Sequence, residues 1–245
     1  MAYNLGLKTT TFGGEISFLD SQQVRYIRGG VTLDAADVTA DANGIKKLPA
    51  GTFIGKKANG KYAKYVAATK ATLTTGAVAD NNAIVWTAKQ AGVGGNNITI
   101  TLVNNGASLP LKIQSVNVAT KDITIQLATD AGGVVTSTAQ QVIDLVKGDY
   151  AASSLVDVAN ATGSTGAGVV AAVAATNLAG GTDANVTPTA ILAEEVIFTS
   201  FTLSGGVAHS DQVSTAIDHG RVITARLPQA PDDVVKANIP GVTFV

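Results

Sequence analysis

TAILAEEVIFTSFTLSGGVAHSDQVSTAIDHGRVITARLP, residues Thr189 to Pro228, sets apolar runs between turn formers at the spacing of short strands. Ile191, Ala193, Val196, Ile197 and Phe198 form the first run, with Glu194 and Glu195 inside it. Val213 to Ile217 form the second, and Val222, Ile223, Ala225 and Leu227 the third. The segment between the first two runs is expected to be a loop. Asp218-His219-Gly220 predicts a tight turn, because Gly accepts positive φ and Asp can bond its own downstream backbone. The second and third runs are therefore expected to pair as a hairpin.

Upstream, Ile16, Phe18, Val24, Tyr26, Val31 and Leu33 alternate with polar residues, and Gly29-Gly30 interrupts them, which predicts two or three short strands. Asp34 to Lys47 is polar and turn-rich and leads to a corner at Leu48-Pro49-Ala50-Gly51-Thr52. Thr52–Ile54 and Lys61–Val66 can pair across Lys57-Ala58-Asn59-Gly60, since Asn-Gly is a strong hairpin signal. The tail, Pro231 to Val245, holds two prolines and an apolar end, so a tether or a final edge strand is expected there rather than a helix. At the other end, Leu5, Leu7, Thr9 and Thr11 alternate within Met1–Gly14, with Phe12 close behind. That pattern fits either a frayed end or an arm that adds a strand to a neighbour's sheet.

The middle of the chain differs in composition. Thr69 to Asp80 is rich in Ala, Thr and Gly, and a new unit is expected from Asn81. Ile84–Trp86, Ile98–Val103, Leu111–Ile113 and Ile123–Leu127 predict strands separated by Gly- and Asn-rich turns. Ala139, Val142, Ile143 and Val146 recur at i, i+3, i+4 and i+7 behind Thr136-Ser137-Thr138, predicting a capped helix that stops at Gly148. Leu155–Val158, a Gly-rich loop over 163–168 and a small-residue run to Ala175 follow.

Three segments resemble the head decoration proteins of tailed, lambda-like bacteriophages. They are Leu48-Pro49-Ala50-Gly51-Thr52-Phe53-Ile54-Gly55 followed by Gly60–Tyr65, then Ala190-Ile191-Leu192-Ala193-Glu194-Glu195-Val196, and Ala216–Val222 leading to Ala225-Arg226-Leu227-Pro228. Ala190 stands where the family pattern has glycine. Between the first and second segments, Thr87–Ile98 (T-A-x-x-A-G-x-x-G-N-x-I) and Ala174–Asp183 (A-A-T-N-L-A-G-G-x-D) resemble the two ends of a module inserted into various phage virion proteins.

These resemblances imply a mainly β protein. A small decoration-type β domain, β-barrel or β-tulip-like, would comprise residues 1–78 and 184–245, split by an inserted α+β module at 79–183. Such an insertion costs little, because closure entropy grows only with the logarithm of loop length. They further imply a structural, non-enzymatic protein of the virion exterior, present in the host cytoplasm during assembly. It would bind the major capsid protein of expanded heads, as a homotrimer at local threefold axes, and stabilise the shell against internal DNA pressure. The residues expected to bind the capsid are those of an extended arm over 1–14: Leu5, Leu7, Thr9, Thr11 and Phe12. The alternative is a capsid or tail fibre of adhesin type whose inserted module contacts a host surface or glycans.

Composition narrows the function classes. Only 14% of the 245 residues are charged and 5% aromatic, so much of the surface is Thr, Asn, Ser, Ala and backbone, which suits contact with other protein. Seventeen basic and eighteen acidic residues are dispersed without a basic block, which argues against nucleic acid as a partner. No cysteine is present, so disulfides and thiolate metal sites are excluded. The longest apolar stretch, Gly166–Ala175, is far shorter than the roughly 20 residues of a membrane-spanning helix, and the first residues lack the pattern of a signal peptide, so neither membrane nor secretion is expected. The sequons at Asn97, Asn160 and Asn185 are accordingly disregarded.

Candidate chemistry is sparse, and no cofactor, metal or catalytic residue is assigned. The glycine clusters 92–95 and 163–168 lack the Gly-Lys-Ser/Thr of a phosphate loop and are expected to be flexible surface loops. His209-Ser210-Asp211 and Asp218-His219 could be drawn as a hydrolase or metal constellation, but a loop and a turn account for them with less. Neighbouring Glu194 and Glu195 would point to opposite faces of a strand. Arg25 and Arg28 flank Tyr26 with nothing in sequence to complete an anion cradle.

Overall fold

The computed structural model describes residues 18–20, 23–203 and 206–245. The protein is mainly β, with 39% strand and 16% helix. It divides into two compact units: a discontinuous one made of the chain's two ends, up to Val66 and from Val186 onward, and a continuous one, Ala67–Asn185.

The first chain segment supplies β1 (Arg25–Tyr26), β2 (Val31–Leu33), β3 (Lys46–Leu48), β4 (Phe53–Lys56) and β5 (Tyr62–Lys64). The continuous unit holds β6 (Lys70–Thr75), β7 (Ile84–Ala91), β8 (Thr99–Val103), β9 (Lys112–Asn117) and β10 (Asp122–Gln126). Helices α1 (Ala139–Gly148) and α2 (Tyr150–Leu155) follow, then β11 (Val156–Asn160) and β12 (Val173–Asn177). The last segment supplies β13 (Ala190–Leu192), β14 (Val196–Phe198), β15 (Ser200–Leu203), β16 (Gly206–His209), β17 (Gln212–Ser214) and β18 (Ala216–Val222). It closes with α3 (Asp233–Asn238) and β19 (Val242–Phe244).

In the discontinuous unit the main sheet runs β1-β18-β13-β4-β5-β2-β17, with β19 added parallel to β18. β4 and β5 are joined by the turn at Asn59-Gly60, where Gly60 N–H donates to Lys57 O and the Asn59 side chain accepts from Lys61 N–H, as the Asn-Gly signal predicts. One face of the sheet packs Leu33, Ile54, Ala190, Leu192 and Ala216 against Leu48, Val196 and Phe198. Alternation puts Phe53, Ile191 and Ile217 on the other face, and these are buried as well. That second face needs a cover. Phe244 of β19 meets Phe53 edge to face, with ring centroids 6.1 Å apart, and Val235 and Ile239 of the tail are fully buried. The tail does end in the expected strand, β19, but a helix, which was not expected, precedes it: Asp232 caps α3 through Val235 N–H, and Pro231 and Pro240 stand outside the helix.

Two further expectations fail here. Asp218-His219-Gly220 is not a turn but the middle of β18, which stays extended because it has partners on both sides. Ile217 pairs with Ile191 and Tyr26, His219 with Arg25, and Gly220 with Val242. The run from Val213 instead splits into β17, paired with β2, and the start of β18. The segment expected as a loop after Phe198 is a separate hairpin of β15 and β16.

In the continuous unit, β11-β7-β6 form an antiparallel three-stranded sheet, and β12-β8-β10-β9 a mixed sheet in which β8 and β10 run parallel. Trp86, Ile100, Leu102, Ile123 and Ile125 bury between them with Val142, Ile143 and Val146 of α1. The helix starts as predicted, with a reciprocal capping box between Thr138 and Gln141. The boundary lies earlier than 79: β6 pairs along β7, and Thr69 and Thr72 bridge to Thr182 and Ala179, so the Ala- and Thr-rich stretch is strand. At the far end the unit extends to Asn185.

Candidate binding surfaces

Leu5, Leu7, Thr9, Thr11 and Phe12, the expected capsid-binding residues, lie outside the described residues. The chain just after them is firmly seated. Phe18 is buried and its carbonyl accepts from Ile223 N–H at 2.7 Å, Leu19 bridges Val222, and Asp20 N–H donates to Arg221 O. Asp20 also pairs with Arg221 at 3.0 Å. Whatever residues 1–17 do, they do it from a root fixed along β18. Arg25 donates through Nε and Nη2 to both oxygens of Asp218, at 2.7 and 3.0 Å, so it ties β1 to β18 and does not form an anion cradle.

The charged residues around β2 are consumed by one another. Lys57 Nζ lies 2.9 Å from Asp34 and 2.6 Å from Asp37, and Lys61 Nζ lies 2.6 Å from Asp211. Asp211 also accepts from Ala35 N–H, and Asp34 from Ala36 N–H. The hydrogen bond from Lys57 holds the Asp34 carboxyl below the usual carboxylate range, and the one from Lys61 does the same for Asp211. This cluster clamps the 3-10 turn Ala35–Asp37 to the β4–β5 hairpin and to the chain between β16 and β17.

The drawn hydrolase or metal constellation does not assemble. His209 Nε2 lies 3.1 Å from Gly44 O, Asp211 is held by Lys61, and Asp218 by Arg25. Among the described residues no group of three or more His, Cys, Asp or Glu could hold a metal ion. Glu194, at the bend between β13 and β14, accepts from Ser214 and Thr215 hydroxyls. The glycine clusters are built structure rather than flexible loops. Val93–Asn97 is a 3-10 helix whose first N–H is bound by Asp183 Oδ1, and a Cβ on Gly168 would overlap the Asp80 carbonyl.

Open surface is found in two kinds of place. In the discontinuous unit, Phe201 and Val207 are 44% and 64% exposed on opposite faces of the β15–β16 ribbon, and Ile197 of β14 and Val213 of the sheet-edge strand β17 are exposed too. In the continuous unit, a groove of about 510 Å³ opens between the start of β9 and the end of α1, lined by Leu111, Lys112, Ile113, Asp144, Leu145, Gly148 and Asp149. A smaller cleft beside Gly94 and Ile98 is bridged by its own wall, where Lys121 Nζ donates to Gly94 O at 2.6 Å. No sequence signal pointed to the ribbon or the groove, because each is assembled from segments that carry no motif.

No family model, no curated protein and no solved structure matches the chain.

Proposed function

We propose that the chain is a structural virion protein that binds the outer face of an expanded bacteriophage capsid through the major capsid protein. In this role it stabilises the shell against packaged DNA, as trimers at local threefold axes. The observation that carries the reading is an adjacency. The segments that resemble the decoration family come from both ends of the chain, yet as β18, β13, β4 and β5 they lie side by side in one sheet. This supports reading them as a single small domain whose sequence is interrupted by residues 67–185. A two-ended domain suits such an interruption, because the break falls between β5 and β13 rather than within a strand.

The surface supports a role in protein contact. Among the described residues the ribbon β15–β16 pairs with no other strand, and it bears apolar side chains on both faces, an arrangement only marginally stable in water unless something packs on it. The acidic and basic groups around β2, the partner strand of β17, are mutually paired.

The test is to mix the purified protein with expanded, undecorated heads and with unexpanded heads, and to sediment both. Saturable binding to the expanded form alone, at a copy number comparable with that of the capsid subunit, is the expected result. Binding to neither form, or a handful of copies per particle, would overturn the reading and favour a fibre.

A further inference from the structure

We infer that Asn43 is a site of spontaneous deamidation, and that its conversion loosens the loop against which the β15–β16 ribbon is tied. The chain contains three Asn-Gly dipeptides, Asn43-Gly44, Asn59-Gly60 and Asn105-Gly106. In such a pair the next backbone nitrogen can attack the asparagine side-chain amide carbon, because glycine has no Cβ to shield that nitrogen or restrict its approach. All three asparagines are exposed, so access to water does not separate them. Their hydrogen bonds do.

Two of the three sit in the same kind of turn. Asp41-Ala42-Asn43-Gly44-Ile45 and Lys57-Ala58-Asn59-Gly60-Lys61 share the central Ala-Asn-Gly. In each, the N–H of the first residue donates to the carbonyl of the fifth at 2.8 Å. The glycine N–H donates back to the carbonyl of the first, at 2.9 Å from Gly44 and 3.0 Å from Gly60. The glycines match as well, with φ of 76° and 86°. The turns differ in what receives the N–H of the fifth residue. Lys61 N–H donates to Asn59 Oδ1 at 3.1 Å, which holds the Asn59 side chain against the backbone. In the other turn Asp41 Oδ1 accepts from Ile45 N–H at 2.9 Å and from Asn43 N–H at 2.8 Å. Asp41 thereby takes the place that Asn59 fills, and the Asn43 side chain has no hydrogen bond among the described residues. Asn105 is tied most firmly: its Nδ2 donates to Gln114 Oε1 at 2.9 Å and to Gln126 Oε1 at 3.3 Å.

Reaction requires the side chain to swing onto the following nitrogen. Gly44 N gives up its proton and bonds to Asn43 Cγ, the bond from Cγ to Nδ2 breaks, and ammonia departs. Water then opens the five-membered imide at either carbonyl, leaving aspartate or, where the main chain now runs through the side chain, isoaspartate. The Gly44 N–H must first leave Asp41 O, but the equivalent bond must open at Gly60 too, so it does not discriminate. What discriminates is the unbound Asn43 amide.

Its place in the fold gives the change a consequence. Gly44 O lies 3.1 Å from His209 Nε2, at the end of β16. Isoaspartate adds a carbon to the main chain immediately before Gly44, which displaces this carbonyl while Asp41 and Ile45 stay bonded to each other. The ribbon then loses a tie.

The experiment is to age the full chain in mildly alkaline buffer at physiological temperature and to follow deamidation by mass spectrometry of tryptic peptides, which carry the three asparagines in separate fragments. The same chain in denaturing guanidinium is the reference, and there all three should convert at comparable rates, since each precedes glycine. Folded, the Asn43 fragment should convert first, ahead of Asn59 by about fivefold, the rate factor equivalent to roughly 1 kcal/mol for one side-chain hydrogen bond. Hydrogen exchange in Ser200–Leu203 and Gly206–His209 should be faster in the aged protein than in the fresh. Asn43→Ser cannot form the imide and should age without either change. Conversion of Asn59 or Asn105 ahead of Asn43 in the folded chain would overturn the proposal. So would a folded chain that does not convert while the unfolded one does, or an equal loss of ribbon protection in aged Asn43→Ser.

Discussion

The phenol of Tyr65 donates a 2.8 Å hydrogen bond to Oδ2 of Asp232, joining the end of the first chain segment to the start of α3 across 167 positions of sequence. Asp232 Oδ1 meanwhile caps α3 through Val235 N–H at 2.7 Å, so a single carboxylate holds the tail to the sheet and starts its helix.

Tyr65→Phe keeps the ring but leaves Asp232 Oδ2 without its donor, and should cost about 1–3 kcal/mol at neutral pH. Burial, reinforced by the Asp232 hydrogen bond, pushes the Tyr65 hydroxyl up to about 12. The folded value lies above the unfolded one, near 10, so this contribution is fully present below about pH 10 and is lost as pH rises towards 12. Denaturant melts at pH 7 and pH 11 should therefore show the gap between wild type and Tyr65→Phe narrowing at the higher pH. A constant gap would mean that the phenol does not titrate with folding.

The clamp around Asp34 and Asp211 makes the opposite prediction. Their folded values are depressed, chiefly by hydrogen bonds from Lys57 and Lys61, so their stabilisation is present above about pH 4 and lost as pH falls below it. Lys57→Met should raise the titration midpoint of Asp34, read by carbon NMR of its carboxyl, and move acid unfolding to higher pH. If the Asp34 midpoint stays where it was, the ion pair is not what depresses it.

Trp86 is the only tryptophan, and its indole N–H donates to Thr75 Oγ1 at 3.0 Å within the core of the continuous unit. Thr75→Val conserves volume and removes the acceptor, leaving a buried donor unsatisfied at a cost of about 1–3 kcal/mol. Urea unfolding followed by tryptophan fluorescence reports this unit directly, and a midpoint unmoved by the substitution would contradict the assignment.

Deleting Met1 to Phe12 should leave the fold intact, since Phe18–Asp20 remain to hold the edge of β18. On the proposed function the same deletion weakens binding to expanded heads by several kcal/mol, the scale of a lost coupled-folding interface. Saturation of expanded heads at the concentrations used by the full chain would show the segment to be a frayed end.

Much of the local structure is legible in sequence because its partners are close at hand. Asn59-Gly60 closes its hairpin within a few residues, and Thr138, Gln141 and the spacing of Val142, Ile143 and Val146 specify α1 entirely from within. The candidate sites were not legible. Leu111 and Asp144 come together only when α1 is laid across the start of β9.

The sequence by itself determined the strand-rich class and the capped helix, which rest on contacts or periodicities a few residues long. Tertiary structure decided the rest. Asp218-His219-Gly220 is written like a turn, but pairing with Arg25, Ile191 and Val242 keeps it extended, since a strand with partners on both edges gains more than a local turn offers. The tail reads as a tether or an edge strand, but the apolar face of Phe53, Ile191 and Ile217 requires a cover, and Phe244 of β19 packs against Phe53 while the helix before it buries Val235. The Ala- and Thr-rich stretch after Val66 carries no strand signal of its own, and its place was fixed by β7 and by Thr182, more than a hundred residues away.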